Sequence, residues 1–229
     1  MFFPHLKEDE KKSAKVKLKV LKKKYEAWTT SSRYKRCLES GNVPSADAGM
    51  SSLELCAGVQ GISKALALVG FDTTTLDNDL KLSATSKLSL GELEERIVNG
   101  NIRHHPHLGQ TFSVVWSAPE CRTWSIAQNG RYRNRAFIDG FQNRALEAHA
   151  QQARRDIEAL VNILAYYRRR NERLVMIVEN PEGYLQYHPV SGLFETVLGL
   201  KRVKISYCQF SSGSDVYPQK DTLLWTNSR

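Results

Sequence analysis

Residues 52–61 read SLELCAGVQG, and the fold is decided there. A short apolar strand, Ser52–Cys56, runs into a small-residue turn, Ala57–Gly61, and then into a helix, Ile62–Val69, closed by Gly70. A strand that feeds a helix through a glycine turn opens a βαβ unit. Phe71–Leu76 supplies the second strand and finishes at Asp77. Outward from there the alternation continues. Phe112–Trp116 and Leu174–Val178 are apolar runs of the kind buried on both faces of a parallel sheet. Helices are expected around Gly91–Val98, over about Phe137–Arg170, and near Leu193–Leu198; in the long one Ile157, Leu160, Leu164 and Tyr167 fall on one stripe. Val203–Cys208 and Thr222–Thr226 have no helix between them, so they are expected to pair as an antiparallel hairpin. The pattern predicts an α/β fold: a mostly parallel, Rossmann-like sheet with an antiparallel terminal hairpin.

The chain has 229 residues, enough for one ample core. Residues 1–40 read as a basic helical arm, in which Leu21, Tyr25 and Trp28 recur at helical spacing. Residues 41–51, GNVPSADAGMS, read as a linker, and 52–229 as the main domain. The formal net charge is +9, concentrated in residues 11–36. That suits an anionic partner, nucleic acid first; a solvated basic tail explains the same charge. No run approaches the roughly 18 apolar residues that would span a membrane. The N-terminus turns charged too early for a signal peptide, so an intracellular protein is expected, nuclear in a eukaryote and cytoplasmic otherwise. Cys37, Cys56, Cys121 and Cys208 form no CxxC pair, which argues against a zinc ribbon or a disulfide framework.

Three constellations can carry chemistry. At the first turn, glycines let the backbone approach a ligand and leave helix N–H groups free to bind it. Asp77, at the end of the second strand, can accept both hydroxyls of a ribose. Together they point to a nucleoside-containing ligand, without choosing between a dinucleotide and S-adenosylmethionine; a tight turn with no ligand is the plainer reading. The second constellation is SAPECRTWS, Ser117–Ser125, straight after a buried strand. Ligands in open parallel sheets bind outside the carboxyl ends of the strands, so Cys121 would stand where a nucleophile is useful. The third is IVENPEG, Ile177–Gly183, which puts Glu179 on the same rim. A carboxyl at the end of an apolar strand can keep a proton to donate. Each has a bland alternative: an incidental loop cysteine, a bracing glutamate. HHPH at 104–107 is read as a surface loop rather than a metal site, since no cysteine or carboxylate completes a set nearby.

The order ELCAGVQG, LDND, SAPEC, VENPEG and YPQKDTLLWTN resembles motifs I, II, IV, VI and VIII of the DNA (cytosine-5) methyltransferases, over about residues 52–227. The likeness is to the small viral and phage-like members. It implies a class I S-adenosylmethionine-dependent methyltransferase acting on cytosine in DNA. It puts Cys121 on the catalytic cysteine and Glu179 on the assisting glutamate. It implies that Glu54, Leu55, Cys56, Ala57, Gly58, Gly61, Asp77, Asn78 and Pro119 hold S-adenosylmethionine. Arg122, Arg131, Arg133 and Lys220 are expected to meet nucleic acid.

The sequence departs from the family pattern at named places. Glu120 stands where the family has the second proline of its P-P-C loop, and Cys56 where it has an aromatic residue. The family's target-recognition domain normally follows the hairpin, and the resemblance to the small members implies that one is not expected here. Selectivity would then come from the arm, the arginine-rich loop after Cys121, or a protein partner. The same reaction on RNA, an inactive methyltransferase-like binding module, and a dehydrogenase using a similar glycine turn are the competing readings. The last lacks a catalytic histidine or Tyr-x-x-x-Lys arrangement.

Overall fold

The computed structural model describes residues 16, 19–20, 22–41, 49–124, 144–206 and 221–228. A six-stranded mixed sheet runs in the order β2-β1-β3-β4-β6-β5. The strands are β1 (Ser51–Leu55), β2 (Asp72–Leu76), β3 (Val114–Ser117), β4 (Val175–Pro181), β5 (Lys201–Ser206) and β6 (Asp221–Thr226). β2, β1, β3 and β4 are parallel, while β6 runs antiparallel between β4 and β5. The expected α/β class and antiparallel terminal hairpin are both observed. β4 continues three residues beyond the expected end at Val178, because Glu179, Asn180 and Pro181 pair with Leu224, Leu223 and Thr222. Past the end of β6, the Asn227 side chain takes over the pairing. Its Oδ1 accepts from Met176 N and its Nδ2 donates to Leu174 O, both at 2.8 Å.

The helices are α1 (Ser32–Gly41), α2 (Gly61–Leu68), α3 (Leu90–Val98), α4 (Arg144–Arg170) and α5 (Gly192–Thr196). Alternation along the strands separates two faces. Leu53, Leu55, Val115, Met176 and Val178 are buried and share one core with Leu93, Ile97, Ile157, Leu160 and Leu164 from α3 and α4. Val114, Trp116, Val175 and Ile177 alternate with them and are half-buried. Between β2 and α3 the chain adds a single parallel bridge, Leu76 to Ser86, at the sheet edge. A capping box starts α3: Ser89 Oγ accepts from Glu92 N, and Glu92 Oε2 accepts from Ser89 N.

Tyr25 and Trp28 are buried in the same core as α3 and α4. Leu21 lies outside the described residues. Trp28 Nε1 donates to Asn162 Oδ1 at 3.1 Å, and Asn162 Nδ2 donates to Glu94 Oε1. Arg33 Nε donates to that same oxygen at 2.6 Å. Tyr25 and Lys24 both reach Glu158 on α4. The pattern of apolar residues at helical spacing thus marks a face that packs, and polar groups along it supply a buried network.

Candidate active site

The carboxyl ends of β1, β2 and β3 open into a cavity of about 520 Å³, roofed on one side by α4. That volume lies within the range of small-molecule pockets. Three left-handed residues in five positions shape the turn after β1: Cys56 (φ 57°), Gly58 (φ 50°) and Gln60 (φ 60°). Glycine meets this conformation without cost, whereas a side chain such as Cys56 holds it only when the surroundings enforce it. Here Ala57 N is tied to Leu76 O at 3.0 Å, and Gly58 N donates to Asp77 Oδ2 at 2.9 Å. The other oxygen of Asp77 accepts from Asp79 N at 2.9 Å. The carboxylate at the end of β2 therefore clasps the glycine turn while facing the cavity.

Of the residues expected to hold a cofactor, Cys56, Asp77, Asn78 and Pro119 line this cavity. Glu54, Leu55, Ala57, Gly58 and Gly61 do not; the glycines shape the backbone beside it. Glu54 lies outside the cavity lining. It is buried on β1, and its Oε2 accepts from Ser63 N at 2.9 Å in the first turn of α2. A carboxylate there satisfies an orphan helix donor and favours the positive end of the helix dipole, tying β1 to α2. Leu55 likewise belongs to the core, fully buried on the α3–α4 side.

The β3 loop forms the opposite wall, through Ala118, Pro119, Glu120 and Arg122. Cys121 is half-buried between two cavity-lining neighbours, and its carbonyl accepts from Trp124 N at 2.9 Å. Glu120 is not a bare charge beside it. Its Oε1 lies 3.5 Å from Arg122 Nε and accepts from Arg122 N at 3.1 Å. This loop is stitched to the segment after β4 at two points. Buried Asn180 donates from Nδ2 to Pro119 O at 3.2 Å, and Tyr184 N donates to Trp124 O at 2.7 Å. Ser117 and Val178 are opposite in register, so Glu179 is the next residue outward on the neighbouring strand, half-buried. The loop that carries Cys121 and the end of β4 that carries Glu179 are thereby one unit.

The remaining described thiols are poor nucleophiles. Burial pushes Cys37 up to about 12. Burial, with the Asp77 and Asp156 carboxylates, pushes Cys56 up to about 12 as well. Both stay protonated at neutral pH, and a thiol is far less nucleophilic than a thiolate. Trp124 is fully buried and its ring meets His188 edge-on at 5.4 Å, so it packs rather than stacks on a base. His105 braces its own turn, Nδ1 accepting from the His107 and Leu108 amides. Arg122 is exposed at the cavity mouth. Arg131, Arg133, Lys220 and Cys208 lie outside the described residues.

No protein-family model matches the sequence, and no curated protein matches it. Among solved structures, the chain is similar to the Entamoeba histolytica methyltransferase EhMeth, at 9% identity over 79% of this chain and 53% of that one, with a TM-score of 0.42. It is similar to S. pombe Dnmt2 methyltransferase at 17% identity over 77% and 50%, with a TM-score of 0.43. An SAM-dependent methyltransferase from Agrobacterium tumefaciens is similar at 12% identity over 85% and 61%, with a TM-score of 0.38. The chain spans about half the length of the first two.

Residues that motif reading passed over complete the cavity. His149, Gln152, Ala153 and Asp156 line it from α4, at positions i, i+3, i+4 and i+7 of one helix face. Leu76, Leu82, Leu88 and Leu90 give it an apolar side. The helical stripe was legible as spacing; nothing in a single sequence marks a polar stripe as facing a cavity rather than solvent.

Proposed function

We propose that the chain methylates carbon 5 of cytosine in DNA, with S-adenosylmethionine as donor and Cys121 as covalent nucleophile. The observation that carries this reading is the stitching of the β3 loop to β4: Asn180 and Tyr184 tie the segment at and after Glu179 to the loop that carries Cys121, beside a nucleoside-sized cavity. The cavity's residues suit the donor. Its leucines offer an apolar seat for a purine, and Asp77 still has lone pairs to accept ribose hydroxyls. Leucine contact takes the place of the ring stacking that Cys56 cannot give.

The residue chemistry follows. The target base leaves the stack to enter the site. The Cys121 thiolate forms a bond to ring carbon 6, and the displaced π pair moves into the ring. Glu179 delivers its proton to ring nitrogen 3, which stops charge from building there and lowers the barrier to that addition. S-adenosylmethionine, when bound, supplies an electrophilic methyl group on a positively charged sulfur for carbon 5 to take. Loss of the carbon 5 proton to water regenerates the double bond, the S–C6 bond breaks, and the thiolate leaves. The proton on nitrogen 3 returns to Glu179. Net charge of +9 suits a polyanionic substrate.

DNA containing 5-fluorocytosine tests the whole reading, because fluorine at carbon 5 cannot leave as a proton and the adduct persists. With S-adenosylmethionine present, the wild-type protein is expected to form a denaturant-resistant complex and Cys121→Ser none. Equal trapping by both proteins sinks the nucleophile. Trapping on RNA alone moves the substrate to RNA. Cofactor binding without trapping on either points to a binding module.

A further inference from the structure

The carboxylates around the cavity differ in what already occupies them. Each oxygen of Asp77 accepts a backbone N–H. Glu120 is held by Arg122 and Thr123. Asp79 is exposed and caps its own turn through Lys81 N. Asp156 stands apart. It is half-buried in the α4 wall, and among the described residues its one hydrogen-bond donor is Gln152 Nε2, at 2.8 Å to Oδ1. Oδ2 has no donor among the described residues.

We propose that Asp156, presented with Gln152 and His149 on one face of α4, is the recognition residue for the cationic tail of the ligand, accepting the α-ammonium of an S-adenosylmethionine-type nucleoside. The inference rests on the methyl-donor reading above and deepens it. Position supports the assignment. Asp77 marks the ribose side at the end of β2, and the β3 loop marks the side where the methyl group must be delivered. Asp156 lines the cavity from α4, where its charge is felt by Cys56 at the end of β1, and where it feels Glu120 of the β3 loop. The amino-acid tail branches from the sulfur that carries the methyl group, so it falls between the β3 loop and α4. Burial, with a smaller push from the Glu120 charge, raises the Asp156 carboxyl above its usual range, and Gln152 and Arg155 only partly offset this. A carboxylate left in that condition gains most from a cation brought against it.

Calorimetry separates charge recognition from wall shape. S-adenosylhomocysteine carries the ammonium tail; 5′-methylthioadenosine keeps the nucleoside and sulfur but lacks it. Wild-type protein is expected to bind both, the first more tightly. Asp156→Asn, which keeps size, is expected to weaken S-adenosylhomocysteine roughly 10- to 100-fold, the worth of a charged hydrogen bond. It is expected to leave 5′-methylthioadenosine within about twofold, well below the loss of one hydrogen bond. Unchanged binding of S-adenosylhomocysteine by the variant overturns the proposal. Equal weakening of both ligands also overturns it, since the wall then contributes shape alone. Binding of neither ligand by the wild type removes the donor reading itself, and this inference with it.

Discussion

Two sets of acids, one against the N-terminal segment and one at the cavity, are held in opposite ways. Glu94 on α3 and Glu158 on α4 are engaged from far along the chain: Glu94 by Arg33 and Asn162, Glu158 by Lys24 and Tyr25. At the cavity, among the described residues, Glu120 and Asp156 are engaged only from within four positions, by Arg122, Thr123 and Gln152. Carboxylates that join distant segments are part of the fold, because losing one strands partners that cannot move. Carboxylates held only locally are at liberty to meet a ligand. The contrast predicts that substitutions in the first set cost stability, and that those in the second cost binding.

The strongest way to break it is Glu94→Ala. That change strands buried Asn162 Nδ2, while the half-exposed Arg33 keeps Glu95, and is expected to lower unfolding free energy by about 2 kcal/mol in urea titration. A loss below about 1 kcal/mol, the worth of an ordinary single hydrogen bond, would place Glu94 with the cavity acids instead. Next comes acid. His188, buried between Tyr25 and Trp124, is pushed down to about 3 by burial, with Arg154 and Lys24 adding to it. The unfolded histidine takes up its proton near pH 6.5, while the folded one stays neutral. Its contribution is therefore intact above about 6.5 and is lost as pH falls from there toward about 3, at up to about 1.4 kcal/mol per pH unit. His188→Asn should flatten that slope; an unaltered curve would deny the burial of this ring.

Trp28→Phe sharpens the comparison further. It keeps the ring but removes the donor to Asn162 Oδ1, and about 1 kcal/mol should go, read as a shift in the denaturant midpoint. The smallest effect belongs to the cavity. The Asp156 carboxyl is raised in the fold, so its contribution to stability is present below the ordinary aspartate range and is lost as pH rises through its folded value. Asp156→Asn removes a group that is unfavourable at neutral pH. Its melting temperature should equal or slightly exceed that of the wild type there, while the tail-bearing nucleoside binds less well. A clear drop in melting temperature would return Asp156 to the first set.

Much of this architecture was legible in the residues. SLEL, SVVW and LVMIV are apolar runs of strand length, and each forms a strand in the expected order. The end of β4 was harder to read, because Glu179 and Asn180 look like a loop. They stay in the sheet because Leu224 and Leu223 lie opposite, on a strand more than forty residues later. At the cavity, Asp77, Cys56 and Pro119 stand where the motif order put them. Glu54 lies outside the cavity lining, where its carboxylate accepts from the Ser63 amide. Asp156 escaped notice because helical spacing identifies a polar stripe but not what the stripe faces.

The Asn227 side chain carries one more consequence. Side chains alternate sides along a strand, so sliding β6 by a single step against β4 would exchange the faces that the two strands share. By imitating a backbone unit against Met176 and Leu174, Asn227 makes any such slide forfeit two hydrogen bonds at once. Asn227, just past β6, thus helps to fix which side of the sheet Glu179 faces, and Asn227→Ala would loosen that register without touching Glu179 itself.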